Sequence, residues 1–213
     1  MKDFPVFTTS NGVASLTLRE IPYTARAYIL IRDSLKPRAL LEECTDFCRA
    51  VGAETVFASG HPVVEAYPYH TGILTMQCEK EMLAGSELFL WPAQEDTVQT
   101  WKDIYNRKAA QVPNAAWMTD SDCRQMLCDG EGYFVHNGKE MVGIGRVGGN
   151  EIKWVASCMP GAGEQIVKAL TNAVAGDTVI LQVADTNEKA LALYKRLGFL
   201  PVSRGNPWHR VLG

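Results

Sequence analysis

The stretch that decides the fold is Glu151–Phe199, EIKWVASCMPGAGEQIVKALTNAVAGDTVILQVADTNEKALALYKRLGF. Runs of β-branched residues alternate in it with runs whose apolar residues recur at helical spacing. The predicted elements are, in order, a strand over Glu151–Cys158, a helix over Glu164–Val174, a strand over Thr178–Val183 and a helix over Glu188–Leu197. A strand–helix–strand run of this length forms a parallel pair of strands with a right-handed crossover. The stretch therefore predicts a parallel β-α-β unit.

Upstream of this unit the sequence predicts antiparallel strands. Gly132–His136 and Glu140–Val147 have the composition of strands, and Asn137-Gly138 between them is a strong hairpin turn signal. Because the hairpin leads directly into a parallel unit, the expected sheet is mixed. The predicted fold class is therefore α/β, with a mixed sheet of the α+β type.

The amino-terminal part of the chain shows a weak internal repeat. Ala27–Gln77 and Glu151–Val211 share the order strand, helix, strand, helix, strand. The strands of the first copy, which are expected to lie together in an extended or a second sheet, are Ala27–Ile31, Glu54–Ala58 and Thr71–Gln77. The alternative is a chance similarity between two α/β segments.

The charged segment Glu79–Ser86 is the candidate domain boundary. It divides the chain into residues 1–85, a half-domain, and residues 86–213, the main domain. At the first strand-to-helix turn the half-domain carries Arg32–Pro37 in place of a glycine turn. We therefore expect it to lack the anion site considered below.

Composition excludes several classes of protein. The 213 residues are 46% hydrophobic and 21% charged, with a net charge of -3, which is ordinary for a soluble globular chain and lacks the basic balance of a nucleic-acid-binding protein. No apolar run reaches membrane-spanning length and the start has no signal-peptide core, so we expect a cytoplasmic location. Cys123 and Cys128 lack zinc-site spacing, and no metal site is expected.

The turn Gly161-Ala162-Gly163 carries the first chemical signal. A glycine turn that opens a helix presents free backbone N–H groups at the positive end of the helix dipole, which suits a phosphate or pyrophosphate. An ordinary tight turn without a ligand is the plain alternative. A dinucleotide fingerprint is a second one, since Asp185 ends the next strand, but Ile166 stands where that motif needs its third glycine.

The last helix carries the second signal. The pattern Asn187-x-x-Ala190-x-x-x-Tyr194-x-x-x-Gly198-Phe199 closely resembles the GNAT superfamily of acyl-CoA-dependent N-acyltransferases. The resemblance extends over roughly residues 87–211. It includes the hairpin residues Gly138–Gly143 and the glycine turn, which matches half of the family's pyrophosphate loop; Cys158 stands where that loop usually has Gln or Arg.

The resemblance implies a GNAT-like acyltransferase fold with a degenerate amino-terminal half-domain. It implies an N-acetyltransferase that transfers an acetyl group from acetyl-CoA, as co-substrate, to a primary amine by direct attack. The acceptor would be a small molecule or a peptide. Neither nucleic acid nor membrane is an expected partner, and the oligomeric state is open.

The family's residue roles carry over to matching positions. The cofactor-binding residues implied are Val155, Ser157, Cys158, Gly161, Ala162, Gly163 and Asn187. Tyr194 would be the general acid that protonates the departing thiolate. Glu151 is the weak choice of general base, with Asp120 and Glu131 as competitors.

Each of these roles has a structural alternative. Tyr194 could be an aromatic residue of the core, and Asn187 could be a plain N-cap. The runner-up hypothesis for the whole chain is a non-catalytic GNAT-like module that holds acyl-CoA or another protein.

Overall fold

The computed structural model describes residues 5–213. The strands, in chain order, are β1 (Val6–Thr9), β2 (Gly12–Thr17), β3 (Arg26–Ser34), β4 (Thr55–Ser59), β5 (Tyr69–Thr71), β6 (Ile73–Glu79), β7 (Phe89–Pro92), β8 (Gly132–His136), β9 (Met141–Gly148), β10 (Glu151–Ser157), β11 (Thr178–Ala184), β12 (Leu200–Arg204) and β13 (Trp208–Leu212). The α-helices are α1 (Ile21–Thr24), α2 (Pro37–Ala50), α3 (Val98–Ala109), α4 (Asp120–Cys128), α5 (Gly163–Leu170) and α6 (Glu188–Arg196). Short 3-10 segments are Pro62–Ala66, Lys80–Leu83 and Thr171–Ala173.

The chain divides into two compact units. The first contains the described residues up to Gly72 together with Gly205–Gly213, and the second is Ile73–Arg204. The sequence placed a single boundary near residue 85, whereas the structure separates the chain at Gly72 and again near Gly205. The mixed α/β fold class is confirmed.

The first unit is a six-stranded sheet with the order β1-β2-β3-β4-β13-β5. Strands β3 and β4 are parallel, and their neighbours are antiparallel. Helix α2 packs its buried residues Leu40, Leu41 and Cys44 against one face of this sheet, where Ala27 and Ile29 of β3 complete the core. The opposite face of β3 therefore carries the alternate residues Arg26 and Tyr28.

The second unit is a seven-stranded sheet with the order β12-β6-β11-β10-β9-β8-β7. Its parallel pair is β10 and β11, as the sequence predicted, and the hairpin β8–β9 precedes it. The hairpin loop Asn137–Glu140 is longer than a two-residue turn, because the Asn137 side chain accepts hydrogen bonds from the N–H groups of Lys139 and Glu140, both 2.9 Å.

Two strands lie in a different sheet from the one that the sequence predicted. The expected strand Thr71–Gln77 breaks at Gly72, and its larger part, β6, pairs with β11 in the second unit. The closing strand β13 pairs with β4 and β5 in the first unit, while β12 stays in the second. Each sheet thus contains one strand from the other half of the chain. The two sheets then have the same arrangement around their parallel pairs, since β2-β3-β4-β13 in the first corresponds to β9-β10-β11-β6 in the second.

Helix α5 packs closely on the second sheet because β9 is rich in glycine. A Cβ built on Gly143 would lie 2.6 Å from Ile166 Cδ1, and one on Gly145 would overlap Leu170. Ile166 and Leu170 are completely buried in the core. The glycines therefore set the short distance between α5 and the sheet, and with it the position of the turn that precedes this helix.

Candidate functional site

The parallel strands β10 and β11 separate towards their carboxyl ends. They pair only at Glu151↔Ile180 and Ile152↔Leu181. Beyond that point β10 stays paired with β9 as far as Ser157↔Gly143, and β11 stays paired with β6 as far as Ala184. A gap with unpaired backbone groups on both sides therefore opens inside the sheet, and unpaired groups of this kind need a partner.

The backbone groups that face the gap belong to alternate residues of β10. The Cys158 N–H donates to the Val142 carbonyl of β9 at 2.8 Å. Because direction alternates along a strand, the polar groups of Val155 and Ser157 point the other way, into the gap. Of the three predicted cofactor contacts on this strand, Val155 and Ser157 are thus available through the backbone, and the N–H of Cys158 is not.

A β-bulge in β10 sets which side chains face which layer. The register with β9 shifts between Ile152 and Trp154. Ile152 and Val155 pack in the core that contains α5, while Trp154, Ala156 and Cys158 pack in the cluster of α3 and α4. Bulges redirect side chains in this way and are common next to active sites.

The glycine turn lies at the open end of the gap, at the start of α5. Gly161 has φ +80°, a left-handed conformation that favours glycine, and a Cβ there would meet nothing within 4 Å. The N-cap is Ala162, which has no side chain to satisfy the first-turn N–H groups. The Ala162 N–H closes the turn on the Met159 carbonyl at 3.4 Å. The turn is therefore open to an anion, mainly at Gly161 and Gly163.

Gly163 has a packing role as well. A Cβ at this position would lie 3.1 Å from Leu193 Cδ2 of α6. From the sequence, both glycines were expected to allow the approach of an anion. The structure shows that Gly163 also allows close contact between the two helices, so the two glycines are not equivalent.

Asn187 is the N-cap of α6. Its side chain accepts a hydrogen bond from the Ala190 N–H at 3.2 Å, and its own N–H donates to the Ala184 carbonyl at 2.9 Å. Asn187 therefore holds the carboxyl end of β11 against the start of α6. Its capping role accounts for the oxygen of the side chain and leaves the amide nitrogen for a ligand.

Tyr194 lies in the core beneath α6. Its side chain is 9% exposed, and its ring makes an edge contact with Phe199 at 5.7 Å between centroids. Burial raises the pKa of the Tyr194 phenol to about 12. Its hydroxyl forms no hydrogen bond to a described residue. The hydroxyl oxygen is nevertheless not fully enclosed, so it keeps some contact with solvent.

Glu151 lies at the closed end of the gap, where β10 still pairs with both neighbours. Its competitors as base are both engaged elsewhere. The carboxylate of Asp120 is exposed on α4 and paired with Lys102, whose hydrogen bond lowers the pKa of Asp120. Glu131 binds Arg146 Nη2 at 2.7 Å and Lys153 Nζ. Among the three, only Glu151 forms no ion pair with a described residue.

Glu131 is held in its charged form. Burial alone would raise the pKa of this carboxyl, but the hydrogen bonds and charges of Lys153 and Arg146 lower it below its ordinary value of 4.5. A carboxyl with a lowered pKa in the folded state stabilises the fold above its ordinary pKa, and this contribution disappears as the pH falls. The ion-pair cluster is therefore structural and sensitive to acid.

We expect Glu131→Gln to lower the free energy of unfolding by about 2 kcal/mol at neutral pH, because two partly buried cations lose their partner. The difference from wild type should begin to shrink below about pH 4.5, where the carboxyl of the unfolded chain takes up its proton, and should disappear once the pH falls below the lowered pKa of the folded state. Urea unfolding at both pH values measures it, with the exposed loop residue Glu140→Gln as the control. A difference that does not change with pH would contradict the assignment.

Two polar atoms near α3 were not foreseen from the sequence. Among the described residues, Trp154 Nε1 and Asn114 Oδ1 are buried without a hydrogen-bond partner. The Trp154 ring lies 4.4 Å from the Tyr105 ring, in the cluster on the side of the sheet away from α5. The position of Trp154 depends on the bulge, and no local sequence signal marks the bulge. A buried group without a partner is costly, and a bound molecule would relieve that cost.

Comparisons with known proteins agree with this geometry. A family model described as FR47-like protein matches residues 159–207, which span the glycine turn, α5, β11, α6 and β12. No curated protein matches the chain at a significant level.

Solved structures match over nearly the whole chain. A GCN5-related N-acetyltransferase from Sphaerobacter thermophilus is 14% identical, with a TM-score of 0.61 over 94% of this chain and 76% of that one. A functionally unknown conserved protein from Staphylococcus epidermidis is 13% identical, with a TM-score of 0.62 over 98% and 93%. A tandem GNAT protein from the clavulanic acid biosynthesis pathway is 14% identical, with a TM-score of 0.51 over 97% and 81%.

The fold is therefore that of the GCN5-related N-acetyltransferases. The GNAT resemblance drawn from Asn187–Phe199 and the glycine turn is confirmed by the family match and by these structures. In the part of the chain that the structure describes, no helix is long and apolar enough to cross a membrane.

Proposed function

We propose that this protein is an acetyl-CoA-dependent N-acetyltransferase that acetylates a primary amine by direct attack. The observation that carries the proposal is the gap between β10 and β11, which ends at a glycine turn with free N–H groups. A chain of amides fits such a gap as an added strand does, and an anion fits the turn. Acetyl-CoA, when bound, supplies an activated acetyl group.

The residues of this chain divide the binding among them. Val155 and Ser157 would pair with the amide-bearing arm through their backbone groups. Gly161 and Gly163 would donate to the pyrophosphate, with a smaller contribution from Ala162. Asn187 would donate from its amide nitrogen, while Cys158 would line the gap through its side chain.

Tyr194 would stabilise negative charge on sulfur by donating a hydrogen bond. A thiol of ordinary pKa, near 8.5, is a stronger acid than a phenol of pKa about 12, so complete proton transfer to the thiolate would be uphill by roughly 5 kcal/mol. Donation of a hydrogen bond without full transfer avoids this cost. The high pKa also keeps the phenol protonated throughout the physiological range.

Glu151 would accept the proton of the amine, directly or through water. We expect Glu151→Gln to lower kcat/KM by about ten-fold near neutral pH, since water replaces the carboxylate only in part. Above the pKa of the acceptor amine the loss should be much smaller, because the amine then arrives without its extra proton. Rate profiles against pH for both proteins measure this, and equal loss at every pH would contradict the role.

A non-catalytic module that holds acyl-CoA or another protein is the second candidate function, and Cys158, which stands where the family's loop usually has Gln or Arg, favours it. Calorimetric titration with acetyl-CoA tests whether the gap binds the co-substrate at all, which excludes a module that binds only another protein. We expect one molecule bound per chain, because the first unit carries Arg32–Pro37 where the second has its glycine turn. No binding would overturn the assignment of the gap, and two molecules per chain would contradict the expected absence of a site in the first unit.

A further inference from the structure

The first unit contains an open cavity of about 420 Å³ that the proposed transfer reaction does not use. It lies on the sheet face opposite α2, since it is lined by Arg26, Thr55 and Phe57, which alternate with the residues that pack on that helix. Arg210 of β13 and His70 complete its wall. The volume lies in the range of small-molecule sites.

The positive charge of the cavity is not neutralised by the protein. Within residues 5–213, neither Arg26 nor Arg210 forms an ion pair with a carboxylate. Glu20, the acidic group whose charge acts on the neighbouring Tyr28, is buried and bound to Arg19 at 3.1 Å. Arg26 hydrogen-bonds the Tyr28 side chain, but no described carboxylate pairs with either arginine, so both keep N–H groups and positive charge for an anion. Guanidinium binds carboxylates and phosphates in two-pronged geometry.

An aromatic stack forms the floor of the same cavity. The rings of Phe57 and His70 are parallel to within 25° at 4.0 Å between centroids, and the Tyr28 ring also stacks with Phe57, at 5.4 Å between centroids. Phe57 is 4% exposed, so the stack is fixed in place by packing. A rigid aromatic surface beside cationic groups favours a flat ligand over a flexible one.

The register of the strands brings these features together. Arg26 is opposite Thr55, and Phe57 is opposite both Tyr28 and Arg210. Arg26, Phe57 and Arg210 therefore lie on three adjacent strands, β3, β4 and β13, with an arginine on each side of the strand that carries Phe57. The strand β13, which the first unit receives from the far end of the chain, supplies one of them.

We propose that this cavity binds a small planar aromatic anion, a ring system that carries a carboxylate or a phosphate. The ring packs beside Phe57 and His70, and Arg26 and Arg210 hold the anionic group. This site belongs to the unit that lacks the glycine turn, so it does not depend on the acetyl-CoA proposal.

Calorimetric titration of the full chain with 2-naphthoate and with 1-naphthyl phosphate tests the proposal. We expect at least one of them to bind, and the tighter of the two identifies the anionic group. The neutral 2-naphthol and the non-aromatic acetate should each bind about ten-fold more weakly or worse, because each lacks one half of the interaction. Absence of binding by both aromatic anions, or equal binding of 2-naphthol, would overturn the proposal.

The double variant Arg26→Gln, Arg210→Gln should weaken binding of the aromatic anion by more than ten-fold. Arg38→Gln, which removes an exposed charge from α2 in the same unit, is the matched control and should leave the affinity unchanged. If the double variant does not fold, Arg210→Gln alone decides, since Arg210 is exposed. Unchanged affinity in the arginine variants, or displacement of the anion by acetyl-CoA, would contradict the site.

Discussion

Tyr194→Phe is expected to lower kcat by roughly 10²–10³-fold, the loss typical for removal of one preorganised donor to a developing negative charge. The phenyl ring keeps its packing against Phe199, and the hydroxyl forms no hydrogen bond to a described residue that the substitution would break. Stability and acetyl-CoA affinity should therefore change little. The measurement is kcat, the calorimetric affinity and the melting temperature on the same preparation.

Tyr133→Phe is the matched control, since it removes a hydroxyl from β8, two strands away from the gap. It should leave kcat unchanged. The loss at Tyr194 should be smallest with a thioester whose thiolate leaves readily, because such a leaving group needs little stabilisation. A fully active Tyr194→Phe protein would remove the catalytic assignment and leave the fold intact.

Gly161→Ala should weaken acetyl-CoA binding by roughly 10²-fold, which corresponds to the loss of two charge-assisted hydrogen bonds. Its φ of +80° is strained for any residue with a Cβ, so the turn relaxes and its N–H groups rotate. The open space where a Cβ would lie is also the space that the anion needs. Calorimetry with acetyl-CoA measures the loss.

Gly176→Ala is a close control for this variant. Gly176 has φ +76°, and a Cβ there also meets nothing within 4 Å, but it lies before β11 at the closed end of the parallel pair. Both variants should lose about 1 kcal/mol of stability from backbone strain. Only Gly161→Ala should lose affinity. Equal affinities in the two variants would show that the turn does not bind the pyrophosphate.

Local patterns predicted the elements of the second unit well. The strand and helix runs of Glu151–Phe199 and the hairpin of β8 and β9 have strong periodicity and turn signals, and each is present in the structure. The predicted helix over Glu164–Val174 ends earlier as an α-helix, at Leu170, and continues as the 3-10 segment Thr171–Ala173. Element boundaries depend on capping and packing more than on pattern.

The assignment of strands to sheets could not be predicted in the same way. β6 and β13 both have ordinary strand composition, and nothing in either sequence specifies its partner. Their placement follows from Gly72, where the chain leaves β5, and from burial of Met76 and Cys78 in the second core. Long-range pairing of this kind depends on the whole sheet. A prediction from neighbouring residues therefore places each strand in the sheet of the strands that are closest to it in sequence.

The candidate site was predicted in part. The glycine turn followed from residue types, and the family resemblance added Asn187 and Tyr194, whose roles stay predictions. The bulge after Ile152, which places Ile152 and Val155 on the same side of the sheet although they are three residues apart, has no signal in the sequence. The engagement of Glu131 by Arg146 and Lys153 likewise required the fold, because these residues lie next to β8, in β9 and in β10 and come together only when the strands pair.

The measurement that tests the central claim most directly is release of free thiol from acetyl-CoA in the presence of a panel of primary amines. The panel covers polyamines, amino acids, aminoglycosides and peptide N-termini, each measured with and without the protein. We predict that at least one amine accelerates thiol release with saturation, and that the product is its N-acetyl derivative. Tight binding of acetyl-CoA with no amine-dependent release across the panel would contradict the enzyme and favour the non-catalytic module.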